Sequence, residues 1–368
     1  MNKTSIIDKK HQYKESFRML LYSGNFIFDA PNYLTKSERF ALFFLSIESS
    51  SDLCAFFKIH HIELENLVNY PKYNSYLIAK KKKGVREINA PVGQLKQVQK
   101  KINQHLQGVY STIRPHCSNG FILKPSKNEM QPNIIENAKP HVGKNYVLNM
   151  DIKDFFSSIS SKQIFSIFRN TPFDFNTEIA KALTFLTTFN NCLPQGAPSS
   201  PILSNFACIK LDEKLSQFAY QNNMSYTRYA DDLTFSSNNQ FTSEHIISIE
   251  KFLKHEGFES NKKKLRIRSS NKKQIVTGLI VNDKVNVDRK MMRLVRAILY
   301  DLEKNGIKNA AAKHYKISTL PSFEQETKFI QKIGGLISFI QQIRGKDDEK
   351  TQQFKRKLEC FLELQKMN

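Results

Sequence analysis

Residues 225–236 read SYTRYADDLTFS, two β-prone runs on either side of Ala230-Asp231-Asp232. Strand-forming residues flanking a short acidic break predict an antiparallel hairpin with two carboxylates at its tip. Adjacent like charges at a tight turn repel one another and add nothing to stability. A divalent cation removes the objection, because Mg²⁺ prefers carboxylate oxygens and neutralises them. Acidic turns that are merely solvated are common, and this one gains meaning from a second acidic strand. Residues 147–159, VLNMDIKDFFSSI, place Asp151 at the end of an apolar strand and Asp154 at the turn that follows. Carboxylates at the tips of two neighbouring strands make a site for two metals about 4 Å apart, the arrangement for in-line phosphoryl or nucleotidyl transfer.

Between these strands lies LPQGAPSSPILSN, residues 193–205. Gly196 and Pro198 force a loop, and Ser200-Pro201 start a helix with Leu203, Phe206, Ala207 and Leu211 on one face. Such a junction lets backbone approach a base or sugar and offers free N–H groups to phosphate. Upstream, residues 1 to about 70 read as helices, with Phe40, Phe43, Phe44 and Ile47 at helical spacing. Residues 76–89 read as two short strands around the turn KKKKG, and Pro91 is expected to open a helix with face Leu95, Val98, Ile102 and Leu106. Strand-like and helical runs alternate from 146 to the low 280s. Beyond about 286 the pattern is helical, with Met292, Val295, Ile298, Leu299 and Leu302 on one face. An α+β core with helical ends is the architecture this predicts.

The chain of 368 residues carries 56 Lys+Arg against 34 Asp+Glu, a net +22. With 40% hydrophobic residues it can fold, so the charge suggests a polyanionic partner, although an AT-rich genome would inflate lysine in the same way. The longest largely apolar run, residues 40–47, falls short of the ~20 residues a membrane helix needs, and the N-terminus lacks an apolar signal core. No membrane partner is expected. Five cysteines (Cys54, Cys117, Cys192, Cys208, Cys360) lie far apart without a CxxC pair, as suits reduced thiols in a cytoplasm. His60, His61 and Glu63 have no second ligand pair and read as a solvated helix edge.

Taken in order, the acidic strand, the LPQG loop–helix and the YADD hairpin resemble motifs A, B and C of reverse transcriptases. Residues 80–99, KKKKGVREINAPVGQLKQVQ, look like the fingers hairpin of that family, and residues 257–264, GFESNKKK, resemble its motif D. Asn137-Ala-Lys-Pro-His141 fits the NAxxH signature, and Val276-Thr277-Gly278 the VTG signature, of bacterial retron reverse transcriptases. Residues 334–345, GGLISFIQQIRG, look like the retron thumb. The resemblance implies a right-hand polymerase with an antiparallel-sheet palm and helical N-terminal and thumb parts. The expected divisions are an N-terminal helical extension at 1–70, fingers at 71–145, palm at 146–285 and thumb at 286–368. No RNase H, maturase extension or fused nuclease is expected.

The same resemblance assigns roles. Asp151 and Asp231 match the family's metal-binding aspartates for two Mg²⁺ ions, with Asp232 their essential neighbour. Asp154 reads as a turn-capping carboxylate. Phe156 falls at the sugar steric gate, Gln195 near the nucleotide's sugar, and Arg86 at the triphosphate, where a forked guanidinium matches phosphate oxygens. Lys80 is favoured over Lys81, Lys82 and Lys83 as its partner. Lys264 is the candidate for protonating pyrophosphate, with Lys262 and Lys263 adjacent. Asn137, His141 and the row Arg289, Arg293 and Arg296 are candidates for nucleic-acid contact. For His141 a local hydrogen bond is the open alternative, and for the arginine row a solvated face.

If the resemblance holds, dNTPs are the substrates and the partner is a cognate structured noncoding RNA. Part of that RNA would be copied from an RNA 2′-hydroxyl into branched multicopy single-stranded DNA, with the RNA–DNA product staying bound. An antiphage role with a separate effector protein is also implied. Two alternatives compete: a group II intron-like bacterial reverse transcriptase, and an RNA/DNA-binding scaffold with secondary polymerase activity.

Overall fold

Local capping chemistry sets the first helices. In this computed structural model, which describes residues 5–23, 31–80, 84–123 and 131–367, the chain opens with α1 (Ile6–Ser23), α2 (Lys36–Leu45), α3 (Ser50–Phe57) and α4 (His61–Asn69). Thr35 with Glu38, and Ser49 with Asp52, form reciprocal capping boxes that fix where α2 and α3 begin. Phe40 to Leu45 are all buried, so α2 is a core helix. It lies against α5 (Gly93–Ile113). The approach is close enough that a Cβ on Gly108 would come within 2.6 Å of the Ser37 carbonyl oxygen.

His105 on α5 sits in a cage of Phe40, Phe43, Phe44 and Phe56 rings, with centroids 4.8–6.3 Å away. Its Nδ1–H donates to the Phe40 carbonyl at 2.9 Å. The buried Lys10 of α1 donates to the carbonyls of Pro172 and Phe173 at 3.1 and 2.6 Å. The N-terminal helices therefore share one core with residues more than a hundred positions away, rather than forming an appendage.

Between α4 and α5, strands β1 (Tyr73–Ala79) and β2 (Val85–Pro91) form an antiparallel pair. Lys81, Lys82 and Lys83 lie outside the described residues. Pro91 does not open the next helix. It closes β2 opposite Tyr73, and the helix starts at Gly93. Proline lacks an N–H, and the end of a two-stranded ribbon is a place where none is needed.

Next come the short α6 (Ile134–Ala138) and β3 (Tyr146–Asp151). A helical run follows: α7 (Ser161–Arg169), α8 (Thr177–Thr187), α9 (Ser200–Ala207) and α10 (Ile209–Gln221). Strands β4 (Ser225–Tyr229) and β5 (Asp232–Ser237), helix α11 (Ser243–His255) and strand β6 (Arg266–Ser269) complete a four-stranded sheet of order β4-β5-β3-β6. β5 pairs antiparallel with both β3 and β4. Its buried run Leu233–Ser237 marks the middle of the sheet. The register sets Asp151 opposite Asp232, and Tyr229 opposite the same residue. Thus the β4–β5 turn and the end of β3 finish at one edge. The antiparallel sheet with helical ends is the α+β arrangement expected.

Two compact units emerge: Met1–Pro140 with Asn145–Ile267, and His141–Lys144 with Arg268–Asn368. The expected boundary at 70 falls inside the first unit and that at 285 inside the second. In the second unit, Gly143 N–H donates to Val281 O at 3.1 Å and Gln274 Nε2 to Lys144 O at 2.9 Å, which explains why residues 141–144 belong to it. The hairpin of β7 (Ile275–Val276) and β8 (Leu279–Ile280) turns through Thr277 (φ 46°) and Gly278 (φ 86°), two left-handed residues in a two-residue loop. Helices α12 (Arg289–Tyr315), α13 (Phe323–Arg344) and α14 (Glu349–Met367) pack together. α12 breaks at Gly306, with φ 70° and ψ 172°. Asp301 holds the two pieces by bonding Lys313 and His314, both at 2.8 Å.

Candidate active site

The turn between β4 and β5 is only Ala230-Asp231, with Ala230 in the left-handed region at φ 58°. Asp231 stands at the tip, Asp232 begins β5 and Asp151 ends β3. One carboxylate oxygen from each lies within 4.8 Å of the other two, and all three side chains are partly exposed. Ile152 N–H donates to Asp231 O at 2.9 Å, locking the tip to the end of β3.

Burial raises the Asp231 carboxyl above the ordinary carboxylate range. The Asp151 charge adds to this, while Lys264 and Arg86 oppose it. Asp232 is pushed up to about 7 by burial first and then by Asp231 and Asp151. Burial is the first cause of both shifts, and the repulsion between neighbouring carboxylates adds to it. An all-carboxylate oxygen set of this kind fits a hard divalent cation such as Mg²⁺.

A loop that runs beside β3 brings in the cation. Lys153 N–H donates to Glu259 O and Asn261 N–H to Asp151 O, both at 2.8 Å, and a 3₁₀ turn over Lys262–Lys264 follows. That turn settles which of three adjacent lysines meets the site. All three lysines are exposed, and Lys264 is the one whose Nζ pairs with Asp151. The bond to Asp151 raises the Lys264 pKa, against partial burial.

On β2, Arg86 is exposed and lies near enough to act on Asp231. Lys80 is exposed just after β1, its N–H donating to Gly84 O at 2.9 Å. Phe156 is half-buried, its ring 5.5 Å from Phe155 and 6.0 Å from Phe121, whereas Phe155 is core. The Gln195 carbonyl accepts from Asn89 N–H at 2.8 Å. Beside it Gly196 has φ 114°, and a Cβ there would come 2.7 Å from Ile88. The LPQG loop is thereby seated on β2. Asp154 is exposed, with φ 46°.

Other candidates stand elsewhere. Asn137 and His141 are fully buried, which corrects their reading as nucleic-acid contacts. Asn137 Oδ1 accepts from Asn119 Nδ2 at 3.3 Å, and its carbonyl accepts from Thr227 Oγ1 on β4 at 3.2 Å, so this signature residue braces the strand behind the acidic turn. Burial holds His141 down to about 3, and therefore neutral. Arg289, Arg293 and Arg296 are exposed along α12 in the second unit, with Tyr300 58% exposed beyond them.

Sequence reasoning missed Arg228 and Asp212. Arg228, on β4, is the largest fully buried side chain. Its Nε and Nη2 donate to the two oxygens of Asp212 on α10 at 2.8 and 2.6 Å, and its Nη1 reaches Asn205 Oδ1 at 3.0 Å and Ala230 O at 3.2 Å. A further bond joins Nη2 to Ser118 Oγ at 3.1 Å. The available signal was weak: an acidic residue between Leu211 and Leu215 on a helix face, and an arginine within an otherwise buried strand.

The family model described as reverse transcriptase (RNA-dependent DNA polymerase) matches residues 78–315. The retron Ec86 reverse transcriptase of Escherichia coli is 34% identical over 238 residues, covering 63% of this chain and 70% of that protein. The retron Ec73 reverse transcriptase of Escherichia coli is 31% identical over 293 residues, covering 73% and 89%. The retron Mx65 reverse transcriptase of Myxococcus xanthus is 30% identical over 247 residues, covering 62% of this chain but only 55% of its own length.

Proposed function

This chain belongs to the bacterial retron reverse transcriptases, a family of RNA-directed DNA polymerases, and we propose that it copies a cognate structured noncoding RNA into branched multicopy single-stranded DNA primed from an RNA 2′-hydroxyl. The observation that carries this reading is the convergence of Asp151, Asp231 and Asp232 within 4.8 Å. Asp151 and Asp231 would hold two Mg²⁺ ions, with Asp232 beside them. Bound there, such ions lower the pKa of an attacking hydroxyl and neutralise a leaving pyrophosphate.

The chain's own residues do the rest. Arg86, with Lys80, binds the triphosphate of the incoming dNTP. Gln195 lies by its sugar, on a loop whose backbone is tied to β2. Phe156 lies under the sugar's 2′ carbon, and Phe121 and Phe155 limit its freedom. Lys264 is protonated against Asp151 in this state and is the group to pass a proton to pyrophosphate. Arg289, Arg293 and Arg296 follow the template–primer backbone, which makes binding salt-dependent.

No helix among the described residues is long and apolar enough to cross a membrane. We place the enzyme in the bacterial cytoplasm, as its free cysteines suit. The antiphage role and separate effector rest on family membership. The NAxxH and VTG strings and the retron relatives favour this lineage over a group II intron-like enzyme.

The test is to purify the protein from cells carrying its neighbouring noncoding RNA locus. RNA–DNA joined through a 2′–5′ branch is expected to accompany it, and Asp231→Asn is expected to retain the RNA without the DNA. DNA that persisted in Asp231→Asn would defeat the catalytic assignment, and absence of any bound RNA would defeat the retron reading. Phe156→Val should admit ribonucleotides, read as the ratio of rNTP to dNTP incorporation; an unchanged ratio removes Phe156 from the sugar gate.

A further inference from the structure

The acidic turn has a conformational problem that its own sequence does not solve. Ala230 sits at φ 58°, a region that alanine enters at a cost, and the residue it delivers is Asp231, which must stand beside two other carboxylates. Something beyond the two turn residues has to hold the peptide between them.

One neighbour packs on the peptide just before it, and another bonds the peptide itself. Gly120 lies so close that a Cβ on it would fall 2.5 Å from Ala230 N. Arg228 donates to the Ala230 carbonyl, the oxygen of the very peptide that carries Asp231. Every N–H of the guanidinium is used: two on Asp212, two shared between Asn205 and Ala230, one on Ser118. Its partners are themselves tied down. Tyr226 O–H donates to Asp212 at 2.9 Å, Tyr110 O–H to Ser118 at 3.0 Å, and Asn205 Nδ2 to Gly120 O at 2.9 Å. The fork thus joins the helix pair α9–α10, the segment 118–120 and the turn in one rigid frame.

A fully buried ion pair is poor evidence of a stability role, because apolar side chains of similar volume serve stability as well or better. Nor does Arg228 serve as a counter-charge for the tip, since Asp212 contacts it directly and cancels it. What remains is geometry. We propose that Arg228 and Asp212 are positioning residues that fix the Ala230–Asp231 peptide, and so set the spacing of the Asp231 carboxylate from Asp151 and Asp232 for divalent-cation binding. The proposal rests on the metal-dependent polymerase reading above.

The test compares Arg228→Lys, which keeps the charge but loses the fork, with the triple variant Arg228→Met, Asp212→Leu, Tyr226→Phe. The triple variant removes the pair together with the hydroxyl bonded to it and is designed to keep the fold. Three quantities are measured: Mn²⁺ affinity by electron paramagnetic resonance without nucleotide, the Mg²⁺ concentration for half-maximal DNA synthesis, and KM for dNTP. Both variants are expected to bind Mn²⁺ about 10–100-fold more weakly, as groups orienting metal ligands typically do, with the Mg²⁺ midpoint displaced to match and KM for dNTP unchanged. A folded variant with wild-type Mn²⁺ affinity overturns the proposal. So does unfolding of both variants, which would make the pair purely structural. Wild-type protein that binds Mn²⁺ yet makes no DNA would instead overturn the polymerase reading and leave the positioning claim intact.

Discussion

Two sets of charges meet at one hairpin, and the fold treats them in opposite ways. Arg228 and Asp212 are both 0% exposed, bonded to one another and to neutral groups on every side. Asp231 and Asp232 are partly exposed, with Lys264 and Arg86 only partly offsetting their charge, and both are pushed toward the neutral form. Where the protein has use for a charge in its own frame, it completes the shell. Where it leaves charge incomplete, it leaves room for something that is not protein.

The largest effect should come from breaking the completed set. Asp212→Ala strands a buried guanidinium and is expected to destabilise the first unit by about 3–5 kcal/mol, read from chemical denaturation. A loss near zero would mean that water or relaxation replaces the carboxylate, and the contrast would collapse.

A second case shows how a buried titratable group behaves. Burial holds His105 down to about 3, against about 6.5 in an unfolded chain. Below pH 6.5 the unfolded chain binds a proton that the folded chain refuses until about pH 3. Stability from this site is therefore complete above pH 6.5 and is lost as pH falls through that window. The dependence of unfolding free energy on pH between 6.5 and 5 should be shallower in His105→Gln than in wild type. Parallel slopes would show that the ring can take up a proton without leaving its cage.

The smallest effect should have the opposite sign. Asp232→Asn removes one of the crowded carboxylates and is expected to stabilise the metal-free protein near pH 8 by on the order of 1 kcal/mol. Destabilisation would show that the tip is held together by Asp232 and not strained by it.

The acidic site was legible because its signal is local. Alternation marks the strands, residue type marks the carboxylates, and the antiparallel register follows once β5 lies between β3 and β4. The antiparallel sheet and helical ends were legible for the same reason. What stayed hidden depends on partners distant in sequence or on a single turn. An arginine in a strand reads as a solvated charge until Asp212, 16 residues earlier, is seen to meet it. The register of Lys262–Lys264 is decided by the 3₁₀ turn. Asn137 and His141 read as RNA contacts because polar residues in a signature suggest a ligand, yet both are buried. The N-terminal helices read as an extension because nothing local in KHQYKE shows that Lys10 will meet carbonyls at 172 and 173.

Thermal melting with and without Mg²⁺ tests most directly whether the tip carboxylates are an unfinished cation site. Metal-free Asp231→Asn is expected to melt above metal-free wild type, and added Mg²⁺ to raise the wild-type midpoint saturably while leaving the variant unmoved. A variant that melts below wild type, or that gains as much from Mg²⁺, would contradict the account.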